Sequence, residues 1–350
     1  MSTAPPIRSI QYLRACAALM IVIYHLGVPF SRAGYTGPWP AGLAHGVDLF
    51  FIISGFIMVI ATQDRGVTPG LFLLRRLLRI APLYYALTGF TLLVAALRPQ
   101  LLQSFIFEWP HVIASVAFWP MINPATGETT PVLIPGWTLQ YEMFFYLLFA
   151  LAMPAGRWSL PLLCAMFLIL VAVGQAVPGG TAFTFFTAPL ILQFVMGVLL
   201  GRAFQHGRLP RVPEAQARLW SGVVLCGILL ASIALVFAPR LLPAPWNPLQ
   251  SGALATLVVA GLVWLEAQGR MPDWRWLLVA GDASYAIYLA HPSVLSATSQ
   301  LWRMAGLPNS LWLLGLACVA ASLAAGFFLH AAVELPLRRR FRRLTLAPAR

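Results

Sequence analysis

Apolar segments of membrane-spanning length recur along almost the entire chain, and they constrain its fold more than any other feature. A spanning helix needs about 20 predominantly apolar residues. Charged residues make up 9% of the 350 residues, whereas soluble domains carry about 25%. The segments that are long and apolar enough have the approximate limits 10–30, 43–62, 79–97, 137–153, 158–176, 182–201, 219–238, 249–267, 275–297 and 311–333. We therefore expect an all-α polytopic membrane protein with about ten transmembrane helices, forming a single domain over residues 1–350 without a separate soluble domain.

The distribution of arginine predicts the orientation of these helices. The chain has a formal net charge of +13 and no lysine. With the N-terminus in the cytoplasm and ten spans, 19 of the 23 arginines lie on the cytoplasmic side, and the outer side receives Arg32, Arg98, Arg240 and Arg303. This split follows the positive-inside rule, so both termini are expected in the cytoplasm. Because topology accounts for the basic charge, no nucleic-acid partner is expected.

The first apolar segment contains two ionisable residues, Arg14 and His25. Eleven positions at 100° each make about three full helical turns, so both side chains share one face, about 16 Å apart along the axis. Ionisable side chains inside a membrane span are costly and typical of functional sites. The segment is therefore predicted to contribute to a site.

Three further ionisable residues are predicted to reach the depth of His25. At 1.5 Å per residue, His25, Asp48 and Glu142 lie roughly 22 Å from the cytoplasmic surface, and His291 lies near 24 Å. The common depth predicts one buried polar site, with these four residues as the candidate catalytic group. Simpler roles stay open for each. Either histidine could bind a backbone carbonyl, and Pro292 frees one for His291. Asp48 could have a capping or ion-pair role, and Glu142 a structural role, although capping explains it poorly because it lies past the first turn of its span. His45, nearer the outer interface, is interpreted as solvated.

A histidine beside a carboxylate in a water-poor cavity is typical of general-base catalysis. The same groups could relay protons in a transporter, and the residues alone do not separate the two uses. No zinc or haem ligand spacing is present, so no metal is expected.

Arginines also cluster in the segment 69–85. If it is helical, Arg75, Arg76 and Arg79 share one face. Such a helix could lie against anionic lipid. Alternatively, the guanidinium groups could bind phosphate, together with Arg14 at the same surface.

Five motifs together resemble the acyltransferase 3 family of membrane acyltransferases, in particular its ExoZ-like branch, which acylates exopolysaccharides. Each motif alone is weak, but all five occur in the family's order over about 280 residues. They are Ile10–Arg14 with Tyr24–His25, Gly46–Phe56, Arg75–Tyr85, Pro135–Tyr146 and Gly281–Pro292.

The resemblance implies an enzyme that takes an acyl group, usually acetyl, from cytoplasmic acyl-CoA and places it on a sugar hydroxyl of an exopolysaccharide or other surface glycan at the outer side. His25 would be the base or the acyl acceptor, and Glu142 the essential acidic residue. The residues expected to bind the donor are Arg14, Arg75, Arg76, Arg79, Tyr84 and Tyr85. The supporting residues are Ser54, Trp137, Tyr141, Ser284, Tyr285 and Tyr288.

The resemblance also implies surroundings and partners. Acyl-CoA is expected as a co-substrate, with no permanently bound cofactor. The acceptor would be a surface glycan or a lipid-linked oligosaccharide, and the location a bacterial cytoplasmic (inner) membrane. Homo-oligomerisation and association with glycan-synthesis machinery are left open. No extracellular esterase-like domain is expected beyond residue 350.

Two other functions remain open from the residues. One is a proton-coupled exporter or flippase of a polysaccharide or lipid-linked sugar, although the chain lacks the internal repeat that many transporters show. The other is a structural partner of a glycan-synthesis complex. For the enzyme, direct attack by the sugar and an acyl-histidine intermediate are both open, as are the acyl group, the acceptor hydroxyl and the structure of the 98–136 connection.

Overall fold

The computed structural model describes residues 7–62, 67–101, 105–237, 241–242, 246–308 and 310–346. The protein is 80% helical, and within these ranges it forms no strand, only an isolated antiparallel bridge between Ile122 and Thr129. The expected all-α fold class is therefore confirmed. Three arginines used in the topology argument, Arg65, Arg240 and Arg350, lie outside the described residues.

Fourteen α-helices are present in the described ranges. In chain order, α1 to α14 are Arg8–His25, Gly27–Arg32, Gly46–Ala61, Pro69–Leu97, Trp109–Val116, Trp137–Ala152, Ser159–Ala176, Thr181–Phe186, Leu192–Gln205, Glu214–Phe237, Asn247–Ala267, Arg275–Met304, Leu311–Leu329 and Leu335–Leu346. Short 3₁₀ turns precede several of them, including Ala41–His45 before α3 and Ile134–Gly136 before α6.

Within the described residues, eight helical segments are long and apolar enough to cross a membrane. They are Arg8–Arg32, Ala41–Ala61, Pro69–Leu97, Ile134–Ala176, Thr181–Gln205, Glu214–Phe237, Asn247–Ala267 and Leu311–Arg340. The expected spans 137–153 and 158–176 fall in one 43-residue segment, which bends at Gly156, where φ is +57°. The expected span 275–297 lies in α12, which is not among the eight. The count of ten and the orientation therefore stay predictions.

The described chain separates into two compact units. The first unit comprises Met1–Asp64 and Gln193–His330, and the second comprises Arg65–Leu192 and Ala331–Arg350. In the first unit α1 packs against α12 and α3, and α12 packs against α13. Its largest apolar cluster joins α1, α3, α9, α10 and α11. In the second unit α4 packs against α6, and α6 against α7.

Glycine allows the helices of the first unit to approach closely. A Cβ atom at Gly281 of α12 would lie 2.2 Å from the Gln11 carbonyl oxygen of α1, and one at Gly46 would lie 2.6 Å from the Ala17 carbonyl oxygen. Small residues at helix crossings are typical of membrane proteins, in which close backbone contact stabilises association. These contacts hold α1 firmly against α3 and α12, the helices that carry the candidate residues of this unit.

Candidate functional site

His25, the last residue of α1, lies directly beside His291 of α12. The Nε2 atom of His291 is 3.3 Å from the Nδ1 atom of His25, and the ring centroids are 4.8 Å apart. The His25 Nδ1 atom is also 2.9 Å from the Ile21 carbonyl oxygen. His291 is fully buried, whereas His25 is half-buried. The two histidines that were expected at one depth therefore form a pair.

Pro292 explains how His291 is held. Proline has no backbone N–H, so the carbonyl four residues earlier loses its helical partner. That carbonyl belongs to Tyr288, and the Nδ1 atom of His291 lies 2.6 Å from its oxygen. A ring nitrogen facing a carbonyl oxygen must carry the proton. His291 therefore donates from Nδ1 and has a lone pair on Nε2.

The same rule assigns the tautomer of His25. Its Nδ1 atom faces both the Ile21 carbonyl and the lone pair of His291 Nε2, so Nδ1 carries the proton. The lone pair of His25 is then on Nε2. An imidazole that is oriented through Nδ1–H and unprotonated on Nε2 can accept a proton or act as a nucleophile. Here a second histidine and a backbone carbonyl occupy the position that a carboxylate holds in a serine-protease triad.

The start of α1 is held by a carboxylate distant in sequence. Glu266, near the end of α11, accepts hydrogen bonds from the backbone N–H groups of Arg8 and Ser9 at 2.7 and 2.9 Å. These are unpaired donors of the first helical turn, which a carboxylate is well suited to satisfy. Arg14, two turns further along α1, is half-buried and donates to Gln11 Oε1 at 3.3 Å.

Asp48 has partners that the sequence analysis did not identify. One carboxylate oxygen lies 2.5 Å from His45 Nδ1, and the other accepts from Gln193 Nε2 at 2.7 Å. Asp48 is buried, while the His45 side chain is 30% exposed. These contacts are consistent with the ion-pair alternative left open for Asp48. His45, interpreted as solvated, is partly exposed but also binds Asp48. The contact between His45 and Asp48 could have been predicted from their i, i+3 spacing, which puts both on one helical face. Nothing in the sequence indicates the contact with Gln193, which is 145 residues from Asp48.

Glu142 belongs to the second unit, where it lies in a cluster with arginine. It accepts a hydrogen bond from the Tyr146 hydroxyl one turn later in α6. The Arg76 guanidinium of α4 lies 5.5 Å from the Tyr146 ring centroid and interacts electrostatically with Glu142 and Arg79. Helical counting predicts Arg76 at the cytoplasmic surface and Glu142 deep in the membrane, and this separation is wrong, because both residues contact Tyr146. Whether Glu142 shares a site with the histidines stays a prediction.

The two tyrosines assigned to the donor site anchor the 98–136 connection. The Tyr84 hydroxyl donates to the Ser115 carbonyl at 3.0 Å, and the Tyr85 hydroxyl donates to the Val116 carbonyl at 2.9 Å. These carbonyls end α5, where helical partners run out. Both hydroxyl groups therefore use their protons in structural hydrogen bonds to the backbone of α5. Arg75, on the same helix as both tyrosines, is half-buried.

The supporting residues of the first unit lie on α3 and α12. Ser284 is buried and donates to the Gly281 carbonyl at 2.7 Å, so it stabilises the helix rather than the histidine pair. Tyr288 supplies the carbonyl that binds His291. Ser54 and Tyr285 are half-buried on α3 and α12.

The supporting residues of the second unit belong to an aromatic cluster at the start of α6. Tyr141 stacks on Phe185 of α8, with ring centroids 3.9 Å apart. Trp137 lies edge-on to Tyr141 at 6.0 Å. Parallel stacking and edge-on contacts are both favourable arrangements of aromatic rings. The cluster therefore fixes the first turns of the helix that carries Glu142.

Comparison with known proteins gives consistent matches. Residues 7–331 match the family Acyl_transf_3, described as Acyltransferase domain. The chain is 37% identical over 304 residues to the exopolysaccharide production protein ExoZ of Rhizobium meliloti (strain 1021), covering 85% of this chain and 90% of that protein. It is 22% identical over 375 residues to the peptidoglycan O-acetyltransferase OatA of Listeria monocytogenes, covering 95% of this chain but only 56% of that protein. No solved structure matches significantly.

Proposed function

Because this chain belongs to the acyltransferase 3 family and is a multi-pass membrane O-acyltransferase, we propose that it moves an acyl group from cytoplasmic acyl-CoA to a surface glycan. Acetyl is the acyl group proposed, and the acceptor is a sugar hydroxyl of an exopolysaccharide at the outer side of a bacterial cytoplasmic membrane. The relative ExoZ is named for exopolysaccharide production, and it is matched over 90% of its length.

The observation that carries this proposal is the orientation of His25 by His291 and two backbone carbonyls. In the direct route, His25 Nε2 takes the proton of the sugar hydroxyl while its oxygen attacks the thioester carbonyl. The carbon–sulfur bond then breaks, and the imidazolium returns the proton to the departing thiolate. In the two-step route, Nε2 attacks the thioester carbonyl and the carbon–sulfur bond breaks, which releases the thiolate and leaves the acyl group on the ring. The sugar oxygen then attacks this acyl group, the bond to Nε2 breaks, and the hydroxyl proton passes to the released Nε2.

Arginines are the residues we assign to the donor. Acyl-CoA carries several phosphates, and guanidinium groups bind phosphate through paired hydrogen bonds. Arg14, Arg75, Arg76 and Arg79 are the assigned residues. Arg76 contacts the rings of both Phe72 and Tyr146, with its guanidinium carbon 5.6 and 5.5 Å from their centroids, and these contacts restrict the motion of its side chain. We assign Glu142 a positioning role, because it holds the Tyr146 hydroxyl against this arginine.

The test uses purified protein in lipid nanodiscs, radiolabelled acetyl-CoA and de-esterified surface polysaccharide of the producing bacterium. The wild type should form acetyl esters on the polysaccharide. His25→Ala should lower the rate by about 10²–10⁴-fold, the usual contribution of a general base. His206→Ala is the matched control, because His206 is exposed and its Nδ1 atom lies 3.1 Å from the Arg202 carbonyl oxygen at the end of α9. Undiminished esterification by His25→Ala contradicts the mechanism.

Two further measurements separate the alternatives. The enzyme is incubated with acetyl-CoA without acceptor, quenched and analysed by mass spectrometry. An acetyl group on His25 is expected only in the two-step route. Movement of polysaccharide into sealed vesicles without acyl-CoA would instead support an exporter.

For the donor assignment, Arg76→Gln should raise the KM for acetyl-CoA about tenfold. Arg202→Gln, which removes a surface arginine, should leave this KM unchanged.

A further inference from the structure

A cavity of about 320 Å³ opens in the first unit where α2, the end of α12 and the start of α13 meet. Its volume lies at the lower end of the range of about 300–1,000 Å³ that is typical of small-molecule sites. Its polar lining consists of Arg32, Arg303, Ser299, Ser310 and the indole-bearing Trp302. Among the described residues that line it, none is acidic. The cavity is therefore chemically suited to an anion that also carries hydroxyl groups.

Trp302 and Ser299 form a fixed part of the cavity lining, whereas Arg32 and Arg303 are exposed. The Trp302 indole N–H donates to the Pro308 carbonyl at 3.0 Å, and Trp302 packs on a buried apolar cluster that contains Leu295 and Leu314. Ser299 is buried. Small-molecule sites are typically lined by apolar and aromatic side chains with a few placed polar groups, and the lining of this cavity has that composition.

Helix termini alone do not explain the pair of arginines. Each is in the last turn of its helix, Arg32 in α2 and Arg303 in α12, where the helix dipole favours a cation. That effect needs no cavity, no tryptophan and no second arginine. Here two guanidinium groups from different helices line one cavity, and none of its described lining residues is acidic, a composition that favours binding of a carboxylate.

Helix α12, which carries His291, and helix α2, which directly follows His25, also line the cavity. On α12, Ser299 and Arg303 follow His291 by eight and twelve residues, about 12–18 Å along the axis. Arg32 follows His25 by seven residues. Arg32 and Arg303 are also two of the four arginines that the topology prediction places on the outer side. A few sugar residues of a glycan chain would span the distance from the cavity to His25.

We propose that this cavity is an acceptor subsite that binds a carboxylate-bearing sugar residue of the glycan, and so presents to His25 a hydroxyl on a sugar residue a few positions further along the same glycan chain. The proposal rests on the acyltransferase function given above. It makes the substrate an acidic glycan, and it assigns selectivity to a surface distinct from the reacting groups.

The experiment compares two acceptors that differ only in charge. One is the surface polysaccharide of the producing bacterium after mild-base de-esterification, and the other is the same material after its carboxyl groups have been chemically reduced to alcohols. Nanodisc protein is assayed with radiolabelled acetyl-CoA, and binding of each polysaccharide is measured separately without donor. The variants are Arg32→Gln, Arg303→Gln and the double variant. Arg98→Gln, which removes an exposed arginine outside the cavity, is the control.

The wild type and Arg98→Gln should prefer the acidic polysaccharide. In each cavity variant the KM for the acidic polysaccharide should rise about tenfold, as expected for loss of one charge-assisted hydrogen bond. The KM for the neutral polysaccharide should stay unchanged. Equal use of both polysaccharides by the wild type overturns the subsite while leaving the acyltransferase intact. Charge-selective binding that depends on the two arginines, without any transfer, supports the subsite and contradicts the proposed function.

The lipid headgroup is the competing ligand, since anionic lipids also bind arginine pairs at membrane surfaces. The assays are therefore repeated in nanodiscs of phosphatidylcholine alone and with phosphatidylglycerol. The effects of the variants should be the same in both bilayers. Effects that occur only with phosphatidylglycerol overturn the proposal in favour of a lipid site.

Discussion

His291 acts on His25 rather than on a substrate in the arrangement that we describe. Its Nε2 lone pair accepts the Nδ1–H of His25, and its own Nδ1–H is held by Tyr288. This fixes both the rotation of the His25 ring and the nitrogen that bears its proton. A positioning residue of this kind changes the rate of the chemical step more than the binding of substrates.

We therefore predict that His291→Phe, which retains a ring but removes the acceptor, lowers kcat about tenfold to a hundredfold with little change in the KM for acetyl-CoA. His25 retains the Ile21 carbonyl as a partner, so the loss should be smaller than that of His25→Ala. Steady-state kinetics of the purified variant measure this. A rise in KM at constant kcat would show that His291 binds the donor instead.

The His45–Asp48 pair is predicted to contribute mainly to stability. Asp48 is buried with both oxygens bound, one by His45 and the other by Gln193. Asp48→Asn weakens the bond to His45, and we expect it to lower the free energy of unfolding by about 1–3 kcal/mol. Thermal unfolding in detergent measures this. Conversely, a loss of more than a hundredfold in kcat at unchanged stability would give Asp48 a direct catalytic role.

The site could be inferred from sequence only where local rules apply. Pro292 identified the carbonyl that binds His291, and helical spacing put Arg14 and His25 on one helix. The contact of His25 with His291, 266 residues apart, followed only from their similar calculated depth. Gln193 and Glu266 could not be inferred, because their contacts depend on how distant helices pack. Depth counting failed for Arg76 and Glu142, because α4 begins at Pro69, ten residues before the expected span.

At the scale of the element, Pro292 frees a backbone acceptor without ending α12, which continues to Met304. A residue with a backbone N–H at position 292 would bind the Tyr288 carbonyl, and His291 would have to share that acceptor. The proline thus leaves this carbonyl to the His291 side chain at the expense of one helical hydrogen bond, and proline in a helix interior costs about 3 kcal/mol.

Pro292→Ala separates these two effects. It restores the backbone N–H, so we expect α12 to become more stable and the melting temperature to rise or stay constant. We also expect kcat to fall about tenfold, because the backbone N–H of residue 292 then competes with His291 for the Tyr288 carbonyl, and His291 orients His25 less well. Unfolding curves and kinetics of the same preparation give both values. A variant that is fully active would show that the freed carbonyl is dispensable.

The amino-terminal turn of α1 is a second element whose anchoring bears on the site. Glu266 binds the backbone N–H groups of Arg8 and Ser9 and also accepts from the Ser9 hydroxyl at 2.5 Å. Further along the helix, the Tyr12 hydroxyl donates to the Pro272 carbonyl at 2.7 Å. Since α1 carries both Arg14 and His25, these bonds stabilise the helix that links the expected donor side to the histidine pair.

At the scale of the molecule, the number of crossings decides which residues face the cytoplasm. Treating the 43-residue segment Ile134–Ala176 as one crossing, and leaving out α12, gives eight spans. That arrangement would place Arg202, Arg208, Arg211 and Arg218 on the outer side, against the positive-inside rule. It also requires one crossing of about 64 Å, more than twice the thickness of the hydrocarbon core. We therefore predict that the segment crosses the membrane twice, as two arms that meet at the bend at Gly156, and that α12 supplies the tenth crossing.

Labelling of single cysteines distinguishes the two arrangements at one position. In a background in which Cys16, Cys164, Cys226 and Cys318 are replaced, Thr36→Cys should react with a membrane-impermeant maleimide on intact cells. Gln216→Cys, also exposed, should react only after permeabilisation if there are ten spans, because the loop before α10 is then cytoplasmic. With eight spans the same residue lies outside and reacts at once. Since the N-terminus and residue 36 face the same sides in both arrangements, Thr36→Cys serves as the internal control, and reaction of Gln216→Cys on intact cells would refute the ten-span topology.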